Sequence, residues 1–259
     1  MNDKKLKKIY YILPFLSIGM LIILWVVISN KNSFLLPTPE MVWARLVKLF
    51  EHPVKKTSLL GHSLASIKRV MIALVFAWVL GISFGILIGW NKKCKALFGS
   101  MFELFRPIPP IAWIPLIIMW FGIGEFPKVI IVFIGTFTPV VINTYTGITL
   151  VDKINIDVGK AFNGSQMKIL WEIVVPTAIP SIFAGIRTSV SSGWTTVLAA
   201  EMLGANKGLG FLVQRGWESG DIPLVLVAMI CIGIVGAILA ILLNAAERWV
   251  CPWNVKQVD

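Results

Sequence analysis

Gly185, Ser189, Ser192 and Thr196 recur at i, i+4, i+7 and i+11, which places small and hydroxyl-bearing side chains on one face of a helix. Such a face has two uses. Small residues let neighbouring helices approach closely while hydroxyls bond across them. Alternatively, hydroxyls and backbone donors line a polar route that passes an anion without holding it tightly. Arg187 and Glu201 bracket this face, and Arg106 stands at the start of an earlier apolar run. Each either reaches such a route, snorkels to an interface, or pairs with a loop charge. Asn143 and Thr136 add polar points suited to interhelical hydrogen bonds.

Enzymatic chemistry finds no matching constellation. Gly204, Gly208 and Gly210 surround Lys207 without the spacing of a phosphate-binding loop, so the chain lacks that route to ATP hydrolysis. His52 and His62 are the only histidines, too few to build a metal site or to serve a serine nucleophile inside a bilayer. Cys94, Cys231 and Cys251 fall in different predicted elements and read as structural. Glu103, Glu125, Glu172 and Glu201 fall at predicted ends of apolar runs or in loops, whereas ion-coupled carriers place acids deep within them.

The elements that position these residues follow from composition. Of 259 residues, 57% are hydrophobic and only 14% charged, against about 45–50% and 25% in an average soluble domain. A bilayer suits such a chain, because its core accepts apolar runs of about 20 residues as helices that satisfy their own backbones. Six runs qualify, near 10–29, 70–90, 103–121, 127–149, 181–200 and 223–244. The first follows Lys4, Lys5, Lys7 and Lys8 like a signal peptide, but it is too long and lacks a small-residue cleavage site, so it reads as a retained span. Six crossings leave both termini on one side, and the bias of Lys and Arg makes that side cytoplasmic. The net charge of +11 is dispersed over loops, which favours anionic membrane lipids and gives no nucleic-acid patch.

Between the first two runs, Thr38 caps, Pro39 starts and Glu40 favours a short helix whose Met41, Trp43, Leu46, Val47 and Phe50 form an apolar side. It lies along the membrane surface or caps the spans. In the third run Pro107, Pro109, Pro110 and Pro115 remove backbone donors and disfavour helix before each. That start should be kinked or unwound, lining a path or turning back within protein.

The long polar stretch near 152–180 opens as a helix and breaks at Asn163-Gly164, where both residues tolerate the left-handed conformation. Ser165 then caps a second helix, which Pro176 and Pro180 close before the fifth run. A polar helix, turn and helix suits docking in a partner's groove.

From Asp157 to Pro176 this stretch resembles the Glu-Ala-Ala, Gly and Ile-x-Leu-Pro loop of permease subunits of binding-protein-dependent ATP-binding-cassette (ABC) importers. Asp157 stands at the acidic position, Val158 and Gly159 at the alanines, Asn163 at the loop glycine, and Ile173-Val-Val-Pro176 at the end. Only the isoleucine and the proline are literal; Asp keeps the charge and Asn the left-handed tolerance. Leu36-Pro-Thr-Pro39, the run from Phe105-Arg-Pro-Ile-Pro-Pro to Gly124, and Ala200-Glu-Met-Leu through Gly210 are similar to the nitrate, sulfonate and taurine permeases. The likeness extends from about Phe34 to Trp253.

This resemblance implies an all-α membrane protein with six transmembrane helices in a type I ABC importer permease architecture, one permease domain over residues 1–259, with a short extracytoplasmic amphipathic helix and a cytoplasmic coupling helix. It implies coupling to an ATPase through Asp157, Gly159, Lys160, Ala161, Phe162, Asn163, Gly164, Ser165 and Pro176. The implied partners are two ABC ATPase subunits that use ATP and Mg, a second permease copy as a homodimer, an extracytoplasmic solute-binding protein or lipoprotein, and membrane lipids. No cofactor is expected on this chain. The implied setting is the bacterial cytoplasmic (inner) membrane, and the implied solute a small anion such as a sulfonate, taurine or nitrate. A self-contained six-span carrier or channel is the rival that the residues alone leave open.

Overall fold

The computed structural model describes residues 3–32 and 35–250, with the backbone alone for 3–12, 14 and 250. Phe34, Cys251, Trp253, Lys256 and the side chains of Lys4, Lys5, Lys7 and Lys8 lie outside the described residues. All regular structure among the described residues is helical. The helices are α1 (Asp3–Lys31), α2 (Pro39–Glu51), α3 (Leu59–Trp90), α4 (Lys92–Cys94), α5 (Ser100–Phe105) and α6 (Ile114–Phe121). They continue as α7 (Glu125–Thr149), α8 (Lys153–Ala161), α9 (Gln166–Ile169), α10 (Val175–Met202), α11 (Leu209–Glu218) and α12 (Ile222–Val250). Short π-helical stretches, Lys95–Gly99 and Leu170–Val174, join α4 to α5 and α9 to α10.

The chain divides into two compact units, one of Met1–Leu59 with Leu212–Ile230 and one of Leu60–Phe211 with Cys231–Asp259. In the first, the Trp25 indole donates to the Pro37 carbonyl at 3.0 Å, and Thr38 accepts from the Met41 amide as the cap of α2. Arg45 pairs with Asp221 at 2.6 Å. The apolar residues of α2 divide: Val42 and Leu49 are buried, while Met41, Trp43, Val47 and Phe50 are exposed. The expected apolar side therefore faces outward, because the stripe 42, 45, 46, 49 is the one turned to protein.

Four helices among the described residues are long and apolar enough to cross a membrane: Leu59–Trp90, Glu125–Thr149, Gln166–Met202 and Ile222–Trp249. The pair Lys92–Phe105 and Pro110–Phe121, bent by 88°, makes a fifth if counted as one broken span. The run expected at 10–29 lies in α1, whose described apolar part is Phe15–Lys31. The second apolar helix starts at Leu59 and not near 70, because Arg69 is buried and paired and so does not end it. Pro176 and Pro180 do not close a helix either. Pro176 takes an early position of α10, where the π-helical widening before it removes the demand for its amide, and Pro180 is carried inside the same helix.

In the second unit α7 is the central strut. Cβ atoms added at Gly81, Gly85 and Gly89 of α3 would come within 2.9, 2.6 and 2.9 Å of Val140, Thr144 and Ile148. Gly135 and Gly147 of α7, with Gly185 and Gly193 of α10, give the same close approach between those two helices. Ile86, Ile148, Val151, Ile169, Leu170 and Val174 form a core below this seam, and Ile156 of α8 packs on it.

Candidate functional site

The second unit holds the residues expected to do chemistry at three levels. At one end stands α8. Asp152 caps it through the Ile154 amide at 2.9 Å, and its inner side rests on Gly159, where an added Cβ would meet Ile173 and Ile169. Ile154, Val158 and Phe162, four residues apart, form an apolar stripe on the opposite side, and Phe162 is 85% exposed. Asp157 and Lys160 pair at 3.0 Å beside it. Asn163 takes φ +55°, Gly164 donates its amide to the Gly159 carbonyl at 3.0 Å, and Ser165 caps α9 through the Lys168 amide. Ala161 is exposed, and Pro176 lies one helical segment further on.

The middle level is the corner where the bent pair turns. Pro107, Pro109 and Pro110 each lack a backbone donor there, and a pocket of about 240 Å³ opens against α7 and α10. Arg106, Thr138, Thr188 and Ser192 line it. Ser192 donates to the Gly135 carbonyl at 2.8 Å, and Thr188 to the Ala184 carbonyl at 2.9 Å. These protons can turn toward a bound anion without moving a heavy atom, since a hydroxyl rotates to suit its partner. Among the described residues Arg106 is held only by Glu103 at 3.3 Å, an exposed pair of small worth.

The other polar residues of the helical face do different work. Ser189 is wholly buried, accepting from the Trp78 indole at 3.0 Å and donating to the Ile186 carbonyl. Thr196 donates to the Ser192 carbonyl and packs on Gly135, while Asn143 donates to the Pro139 carbonyl. Thr136 donates within its own helix to Val132. Arg187 pairs with Glu247 of α12 and lines a separate groove beside Trp194. The structure thus brings Ser192 and Arg106 to one pocket, and adds Thr138 and Thr188, which sequence periodicity did not mark.

At the far end lies a charge cluster that the sequence did not reveal. Arg69 donates to Glu201 at 2.5 Å and, through two nitrogens, to Glu125 at 2.6 and 2.7 Å. Glu201, wholly buried, also accepts from Ser66 and from the Gly210 amide, each at 2.9 Å. His62 accepts the Gly208 amide at 3.1 Å and stacks on Phe211, and Arg69 donates to the Lys207 carbonyl. The cluster fastens the loop after α10 to the start of α3. Among the described residues no group of three or more His, Cys, Asp or Glu side chains could hold a metal.

The broken helix, the corner pocket, α8 and the glycine seam fall within residues 79–255, which match the family described as the binding-protein-dependent transport system inner membrane component. The chain belongs to this family. It is 33% identical over 246 residues to the taurine transport system permease protein TauC of Escherichia coli, covering 92% of this chain and 90% of that protein. It is 30% identical over 248 residues to the nitrate import permease protein NrtB of Synechocystis, covering 94% and 90%. The fold is that of the permease in inward-facing structures of the MetNI methionine ABC transporter, with a TM-score of 0.59, 20% identity, and coverage of 74% of this chain and 94% of that one. This permease is therefore a multi-pass transport subunit with the type I importer fold.

Proposed function

We propose that two copies of this permease form the route by which a small anion, a sulfonate such as taurine or else nitrate, enters a bacterium across its inner membrane. In this reading α1 and the bent pair each count as one crossing, giving six, with both termini and α8 cytoplasmic. Two ATPase subunits grip α8 and consume ATP with Mg, and a binding protein or lipoprotein delivers the solute from outside. The chain itself binds no cofactor.

The observation that carries the coupling is the outward stripe of Ile154, Val158 and Phe162 on a helix whose other side is anchored in the core. An amphipathic helix presenting apolar anchors four residues apart fits a groove on a partner, and motion of that partner reaches the long helices through Ile169 and Leu170. Support for an anion comes from the corner pocket, which offers Arg106 and hydroxyls with no carboxylate in its lining.

The test is reconstitution of the permease with its ATPase in liposomes, binding protein added outside. Uptake of labelled taurine, methanesulfonate or nitrate that requires both ATP and the binding protein is expected. Flux through the permease alone would overturn the reading in favour of a self-contained carrier or channel.

A further inference from the structure

Arg106 belongs to two cavities. Besides the corner pocket it lines a cavity of about 890 Å³ between α4–α5 and the end of α7. That volume lies within the roughly 300–1,000 Å³ of small-molecule sites. Lys92, Lys95 and Arg106 project into its lining against a single carboxylate, Glu103, which is engaged by Arg106. The Lys95 ammonium stands 5.2 Å from the centre of the Tyr145 ring, which holds it at the wall. Lys92 has no carboxylate within ion-pair distance among the described residues. Ile142 is the second residue shared by the two cavities, so they adjoin along one helix face.

Lysines beside a span ordinarily serve orientation and sit at the level of lipid head groups. What separates these is convergence. Three cations gather on one concave surface whose remaining lining is largely apolar, and a cavity with low-dielectric walls concentrates counter-ions of opposite sign. We propose that Lys92, Lys95 and Arg106 form an oxyanion-binding site, in which Arg106 passes an anion from the corner pocket to the two lysines. The ligand is a tetrahedral or planar oxyanion, sulfonate, nitrate or phosphate, borne by a free solute or by a lipid head group. The hand-over to a free solute rests on the transport reading above; the binding site itself does not.

The experiment reads the local potential chemically. Ser100, which lines the cavity, is changed to cysteine (Ser100→Cys) in a full-length permease whose three native cysteines are serine, held in phosphatidylcholine nanodiscs. The rates of reaction with an anionic sulfonatoethyl and a cationic trimethylammonium methanethiosulfonate are compared with those of a free thiol. The anionic reagent is expected to gain about tenfold over the cationic one, as a focused positive potential requires. Lys92→Gln with Lys95→Gln, or Arg106→Gln, should return the ratio toward the free-thiol value. A Ser191→Cys control in the groove beside Trp194 should not respond to those changes.

Protection of the Ser100→Cys thiol by free methanesulfonate identifies a solute site, and protection only in discs containing phosphatidylglycerol identifies a head-group site; either outcome upholds oxyanion capture. A free-thiol ratio at position 100, or a ratio indifferent to all three substitutions, overturns it. Loss of ATP-driven uptake in reconstitution with the reagent ratio intact would overturn the transport reading and leave the site standing.

Discussion

Arg69 and Glu201, 132 residues apart in the chain, meet at 2.5 Å where the carboxylate has no contact with solvent. The pair closes the end of the helix bundle opposite α8. Glu201 keeps its second oxygen for Ser66 and the Gly210 amide, so its acceptor positions are filled by three donors from two segments, α3 and the start of α11. A buried charge satisfied in this way contributes little as a pair but costs much when one partner is lost.

Removing that partner should therefore be severe. Arg69→Met is expected to destabilise the permease by about 3–5 kcal/mol, the range for an orphaned buried charge. Glu125→Gln, whose side chain is 68% exposed, should cost under about 1 kcal/mol. Thermal unfolding in detergent followed by size exclusion separates the two, and equal losses would contradict the assignment of Glu201 as the essential partner.

Gly208 sits at φ +133° with the Glu201 carboxylate where a Cβ would go. Gly208→Ala should lower stability by about 1–3 kcal/mol from the backbone alone, with a further loss as the carboxylate moves. Gly233→Ala on α12, where nothing lies within 4 Å, should be neutral or slightly stabilising because alanine favours helix. The same melting assay compares them.

At the turn after α8, Asn163 holds φ +55°. Asn163→Gly should leave solute-stimulated ATP hydrolysis intact, whereas Asn163→Val should reduce it several-fold, because a β-branched residue resists the left-handed region. ATP hydrolysis by the reconstituted complex provides the measurement; indifference to valine would show that the turn does not transmit motion.

Ser189 and Thr188 are neighbours with opposite expected behaviour. Ser189→Ala strips the Trp78 indole of its acceptor and should cost about 1–3 kcal/mol of stability. Thr188→Val keeps the shape of the corner pocket and removes a hydroxyl, so uptake should fall while the melting temperature holds.

The periodicity at 185–196 was legible, but its meaning was not. Sequence spacing places Ser189 and Ser192 on one helix face, yet only the close packing of α3 and α7 decides that the first is sealed by Trp78 and the second borders a pocket. The prolines announced the bend at Pro107–Pro110 because their effect is local. Asn163-Gly164 announced a turn for the same reason. The cluster around Glu201 escaped because its partners come from α3, α7 and the following loop, and no local rule links them. One signal was present: Arg69 adjoins an apolar run with no acid nearby in sequence, and an ionisable group in that position calls for a distant partner.

The seam between α3 and α7, where three glycines leave no room for even a methyl group, has a mechanical corollary. Surfaces packed to that tolerance cannot slide past each other without first separating, so these two helices must travel together through any transport cycle. Compliance then has to reside elsewhere, and the proline corner, short of three backbone donors and flanked by open cavities, is the hinge that the stiff pair leaves available.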